Sequence, residues 1–171
     1  MGKSILVIED ETFLRELYIS LLEEEEGYTV SSAENGLEGL VLAVNNSYDL
    51  IWSDIMLPII DGLSALEHIN KLGIILSKFV FVNNLGQDEV IKKAFNLGAD
   101  AYWINSAHTP DQLKTFATEL INDTSAIDRS QINELTNLPS NKTYKELRPE
   151  ILKFTSLKEL EMIEAKLKIQ I

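Results

Sequence analysis

Up to about residue 122, five short apolar runs alternate with longer stretches whose apolar residues recur at helical spacing. That alternation implies βαβ units wound around a parallel sheet. The predicted strands are Ser4 to Ile8, Tyr28 to Ala33, Leu50 to Ser53, Phe79 to Val82 and Ala101 to Ile104. The first, third and fourth are nearly continuous apolar runs, as strands covered by helices on both faces must be. The second mixes Tyr28, Val30 and Ser31 and reads as an edge strand.

The intervening helices carry their own punctuation. Phe13, Leu14, Leu17 and Leu21 predict a first helix with one buried stripe, ending in the solvated run Glu23 to Glu26 before Gly27. Leu37, Leu40, Val41 and Val44 predict a second helix of the same kind after Gly36. A third spans about Leu63 to Leu72, and a fourth runs from Asp88 through Leu97 with Gly98 where a left-handed C-cap is needed. The fifth opens on Thr109, Pro110 and Gln112, which supply an N-cap, a proline at the first helical position and a capping-box partner.

Beyond Thr124 the strand signals stop. Polar residues from Asn133 to Lys142, with Pro139, read as a linker. Tyr144 to Phe154 reads as a helix interrupted by Pro149, and Ser156 to Ile169 as a second helix with a capping box at Ser156 and Glu159. Leu157, Leu160, Ile163, Leu167 and Ile171 form an apolar stripe that must be buried on the preceding domain or on a second copy of the chain. The predicted organisation is therefore an α/β domain over residues 1–123 and a linker with a helical C-terminal extension over residues 124–171.

Charge divides at the same place. Through Asp123 there are seven Lys and Arg against twenty Asp and Glu, and from Thr124 onward eight against seven. The acidic first part argues against direct nucleic-acid binding, which depends on cations that displace counterions, and the near-neutral tail lacks a basic recognition helix. With no cysteine, thiolate metal sites are excluded, and with only His68 and His108 a histidine-rich metal site is not expected. The two histidines read as surface or capping residues. No apolar run approaches a membrane span and no secretory leader is visible, so a cytoplasmic protein without a membrane partner is expected.

In an open parallel sheet, functional groups collect at the carboxyl ends of the strands. The first strand ends in Glu9, Asp10 and Glu11, the third in Asp54, the fourth at Asn83 and the fifth at Asn105. If the first and third strands are neighbours, their carboxylates converge on one pocket. Such a cluster repels itself unless a hard cation with oxygen ligands, such as Mg2+, neutralises it.

These residues resemble a known family. Ile5 to Glu11, then Asp54 followed by Met56-Leu57-Pro58 and Asp61-Gly62, then Phe95 to Tyr102, are similar in order and spacing to the CheY-like receiver domains of bacterial two-component response regulators. The resemblance covers about residues 3 to 122. It implies a (βα)5 doubly wound, flavodoxin-like sheet in the order 2-1-3-4-5, with Asp54 accepting a phosphoryl group from a phosphohistidine. By similarity Asp10, Asp54 and the backbone carbonyl of Met56 would bind Mg2+ directly, with Glu9 acting through water. The implied partners are a sensor histidine kinase or phosphotransfer protein and a downstream protein target. The chain would be a signalling component and not an enzyme.

Two positions depart from the family pattern. Asn83 stands where a hydroxyl residue usually contacts the phosphoryl group, and Asn105, followed by Ser106, where a lysine and often a proline are found. Tyr102 occupies the position of the switch aromatic. Asn83 can donate a hydrogen bond, but Asn105 supplies no cation. The alternatives are a phosphorylation-independent pseudo-receiver that binds partners and, in another class, a flavodoxin-like or hydrolase-like enzyme. A homodimer through the C-terminal helix is a further expectation.

Overall fold

A computed structural model describes residues 2–74, 78–84, 86–123 and 142–170. Five parallel strands form one sheet: β1 (Lys3–Ile8), β2 (Tyr28–Ala33), β3 (Leu50–Asp54), β4 (Phe79–Asn83) and β5 (Ala101–Ile104). Their order is β2-β1-β3-β4-β5, a flavodoxin-like arrangement. The helices between them are α1 (Thr12–Glu23), α2 (Gly36–Asn45), α3 (Gly62–Lys71), α4 (Asp88–Asn96) and α5 (Pro110–Asn122). The extension adds α6 (Tyr144–Ile151) and α7 (Leu157–Leu167).

Alternation along each inner strand sends side chains into two cores. Ile5, Val7, Leu50, Trp52, Val80 and Val82 pack beneath α1 and α5. Leu6, Ile8, Ile51, Phe79 and Phe81 pack on the opposite side with α2, α3 and α4. Strands apolar on both faces are thus buried on both, as a doubly wound sheet requires. β2 lies at an edge, and only Ala33 of it is fully buried.

The loops have local causes. Asp61 caps α3 by accepting from Ser64 N at 2.9 Å. At the next residue a Cβ would lie 2.1 Å from the Asp54 carbonyl oxygen, so only glycine lets α3 start this close to the end of β3. In the segment before β5, Asp100 accepts from Phe79 N at 2.7 Å and its own N–H donates to Phe79 O at 2.8 Å, which pins β5 beside β4. Thr109 and Gln112 form the predicted capping box.

Two expectations are corrected. α2 has more than one buried stripe: Leu37, Glu38, Leu40, Val41 and Ala43 are all buried, because the sheet covers one side of the helix and the extension covers another. α6 runs through Pro149 to Ile151 without interruption. Pro149 and Lys145, whose carbonyl loses its usual amide partner, both lie on the exposed side, where water can substitute.

The extension packs on the α/β domain that precedes it. Tyr144, Leu147, Ile151, Leu160 and Ile163 join the core on the α2 and α3 side, and Phe154 stacks on His68 of α3 with ring centres 3.6 Å apart. Of the predicted apolar stripe, Leu160 and Ile163 are buried, Leu167 packs at the margin and Leu157 is 51% exposed. Ile171 and the predicted linker through residue 141 lie outside the described residues.

Candidate functional site

The ends of β1 and β3 are adjacent because these strands pair directly, Ile8 beside Ser53. Consequently Glu9, Asp10 and Asp54 each offer a carboxylate oxygen within 4.8 Å of the others. Glu9 is 3% exposed, Asp54 is half-buried and Asp10 faces solvent. The turn after β3 fixes Asp54: Ile55 N donates to its Oδ1 at 2.6 Å and Met56 N to the same oxygen at 3.3 Å. Both donors land on Oδ1, which leaves Oδ2 as the oxygen the turn does not hold.

The electrostatics are those of an uncompensated cluster. Burial pushes the Glu9 carboxyl up to about 7; the N–H of Glu11 offsets part of this, and the charges of Asp54 and Asp10 add to it. Burial also raises Asp54, opposed by the N–H groups of Ile55 and Met56 and reinforced by Asp10 and Glu11. All-oxygen donors, partly desolvated and mutually repelling, fit a hard divalent cation such as Mg2+.

Each predicted switch position has a partner. Asn83, at the end of β4, accepts from Asn84 N at 2.7 Å and shares a side-chain hydrogen bond with Tyr102, which feels the charge of Asp54. Asn105 donates its Nδ2 to the hydroxyl of Tyr18, a buried residue of α1. Burial pushes Tyr18 up to about 12; the Asn105 bond opposes this, while Glu9 and Asp54 contribute to it. Tyr18 therefore stands close to the carboxylates beside the position where the family pattern has a lysine.

Two participants escape a reading of the sequence. Tyr18 looks like a core residue on the stripe of α1, and nothing in its spacing announces the bond to Asn105. Arg15 carried a signal: it is the sole Lys or Arg between Lys3 and Lys71. Its Nη1 donates to the carbonyls of Glu9 at 2.9 Å and Asp10 at 3.3 Å. His68 and His108 stay away from the pocket, stacked on Phe154 and Trp103 respectively.

Comparison with known proteins places this geometry. A family model described as the response regulator receiver domain matches residues 5–115. The chemotaxis protein CheY of Halobacterium salinarum is 35% identical over 102 residues, covering 60% of this chain and 83% of that one. A probable transcriptional regulator, ycf29 of Porphyra purpurea, is 33% identical over 124 residues, but the match covers only 57% of its length. Among solved structures, the receiver domain of Francisella response regulator 1452 superposes with a TM-score of 0.65 at 27% identity, covering 72% of this chain and 100% of that one. The receiver domain of the Pseudomonas aeruginosa sensor kinase PA1611, solved with magnesium in its active-site cleft, has a TM-score of 0.61 over 72% of this chain and all of that one; at 20% identity it shows the fold alone.

Proposed function

Since the chain belongs to the response-regulator receiver family of two-component signalling, we propose that it accepts a phosphoryl group on Asp54 and signals by altered binding to a protein partner. The observation that carries this reading is the convergence of Glu9, Asp10 and Asp54 around one point, with Asp54 held by a single oxygen. In the proposed step, Oδ2 of Asp54 attacks the phosphorus of a phosphohistidine on a sensor kinase or phosphotransfer protein. The P–N bond breaks, its electron pair stays on the imidazole, and an acyl phosphate forms. Positioning and charge neutralisation supply the acceleration, so the chain is a phosphoacceptor and not a turnover enzyme.

Receiver domains bind Mg2+ at an acidic pocket. Here Asp10 and Asp54, with the Met56 carbonyl, would hold it and Glu9 would act through water. The bound cation would screen the incoming phosphoryl group. The acidic balance of the chain, a formal net charge of -12 at pH 7, favours protein partners over direct contact with nucleic acid. The transcriptional regulators it resembles are longer, the chain spanning 57% of one and 55% of another. Among the described residues no helix is long and apolar enough to cross a membrane, and we place the activity in the cytoplasm. Self-association through α7 would have to use Leu157 and Met162, since Leu160 and Ile163 are buried internally.

The engagement of Asn83 by Tyr102 and of Asn105 by Tyr18 favours a second reading, a pseudo-receiver that binds partners without phosphorylation. One experiment separates the two. Incubation with Mg2+ and a small phosphodonor should add about 80 Da, the mass of one phosphoryl group, by intact-mass spectrometry, and Asp54→Asn should abolish the adduct. An unmodified wild-type chain would support the second reading.

A further inference from the structure

A continuous chain of ion pairs joins the C-terminal extension to the pocket, and the phosphoacceptor step makes no use of it. Lys166 of α7 lies 3.2 Å from Glu34 and 2.9 Å from Glu38. Glu34, at the end of β2, meets the Arg15 guanidinium at 3.3 Å. The opposite side of that guanidinium donates to the carbonyls of Glu9 at 2.9 Å and Asp10 at 3.3 Å. The Arg15 and Glu38 side chains are shielded, at 11% and 3% exposure, while Glu34 and Lys166 between them are 55% and 47% exposed. Four side chains thus link a helix of the extension to the loop that carries two of the three pocket carboxylates.

We infer that Arg15 is a positioning residue for the Glu9–Asp10 loop and that α7, through Lys166 and Glu34, holds Arg15 in place. The inference rests on the reading of the pocket as a Mg2+ site. A guanidinium bonded to two successive carbonyls fixes the orientation of both peptide planes, and with them the directions in which the carboxylates leave the backbone. Groups that orient metal ligands from behind commonly govern affinity as strongly as some ligands do. Glu34 and Glu38 balance the guanidinium and ammonium charges, so that Arg15 can sit behind a cation-binding loop with little net repulsion.

Sign decides between positioning and mere charge. Arg15 is a cation beside a proposed cation site, so electrostatics alone predicts that its removal strengthens Mg2+ binding, whereas a positioning role predicts weakening. The test is calorimetric titration of the full chain with MgCl2, accompanied by thermal unfolding in EDTA. Arg15→Gln should weaken Mg2+ binding by about tenfold. Arg15→Lys keeps the charge but has no second nitrogen to meet Glu34 while the first donates to the carbonyls, and should recover only part of the affinity. Lys166→Met should weaken binding by roughly threefold, as expected for a residue coupled through an intermediary. Equal or tighter binding in Arg15→Gln overturns the positioning role. Unchanged binding in Lys166→Met overturns the link to α7. Should Arg15→Gln fail to fold in EDTA, the Arg15→Lys affinity decides, a wild-type value overturning the need for a guanidinium held by Glu34. Failure of the wild-type chain to bind Mg2+ overturns the metal reading and this inference with it.

Discussion

Glu9 in the pocket and Glu164 in the extension are both glutamates withdrawn from solvent, at 3% and 5% exposure, yet their surroundings act in opposite senses. Burial alone would raise Glu164. Arg148 donates from Nε at 2.6 Å and Nη2 at 3.2 Å, Tyr144 donates from its hydroxyl at 2.7 Å, and together they hold the carboxyl below its ordinary range. Glu9 has one backbone donor and two carboxylate neighbours, and it is pushed up to about 7. The α6–α7 pair completes its own charge within the fold. The pocket crowds carboxylates together, a donor set that a hard cation with oxygen ligands would neutralise. A buried carboxylate paired in the fold is architecture, and one crowded by its own kind is a candidate for chemistry.

Removing one side of the comparison altogether should have the largest effect. A chain ending at Asp123 loses Tyr144, Leu147, Ile151, Leu160 and Ile163 from the core over α2 and α3. It should still unfold cooperatively, since all five βα units remain, but be less stable by about 4 kcal/mol, burial gains being offset by the ordering of the tail. Urea unfolding measures this; a non-cooperative transition would show that residues 1–123 do not form a domain alone. Next, Arg148→Ala leaves Glu164 without its cation and should cost about 3 kcal/mol at neutral pH, the penalty of breaking a buried pair. Because Glu164 is depressed, its contribution is present above the ordinary carboxylate range and is lost as pH falls through and below it. Arg148→Ala should therefore differ progressively less from wild type as pH falls below that range.

The smallest effect belongs to Glu9 and has the opposite sign. Its raised carboxyl favours the fold fully below the ordinary pKa of 4.5, and that advantage is lost as pH rises through about 7. In EDTA, Glu9→Gln should stabilise the chain by about 2 kcal/mol at pH 8 and change little near pH 4. Saturating Mg2+ should narrow the difference at pH 8. A destabilised Glu9→Gln protein at pH 8 in EDTA would break the contrast with Glu164.

Much of this organisation is legible from residue order. Strand positions follow from apolar runs, and the carboxylate pocket follows from where Glu9, Asp10 and Asp54 stand at strand ends. The extension is harder. Leu157, Leu160 and Ile163 announce a face to be buried, but the same stripe would suit a second copy of the chain. A clue lay in α2, whose sequence from Gly36 to Asn45 is apolar nearly all round. A helix of that kind must be covered on more than one side.

Local and periodic signals determined by themselves the five βα units, the capping of α5 and α7, the acidic character of the first 123 residues and the place of Asp54 at a strand end, because each depends on residue spacing along one element or on position within it. Tertiary structure alone decided which glutamate is compensated and which is not. Arg15 meets the Glu9 and Asp10 carbonyls five or six residues away, but it meets Glu34 nineteen residues on, and Lys166 reaches Glu38 across 128 residues. Tyr18 and Asn105 come together from positions 87 apart. Charge compensation depends on distance in space and on exclusion of water, and neither is a property of a residue's neighbours in the chain.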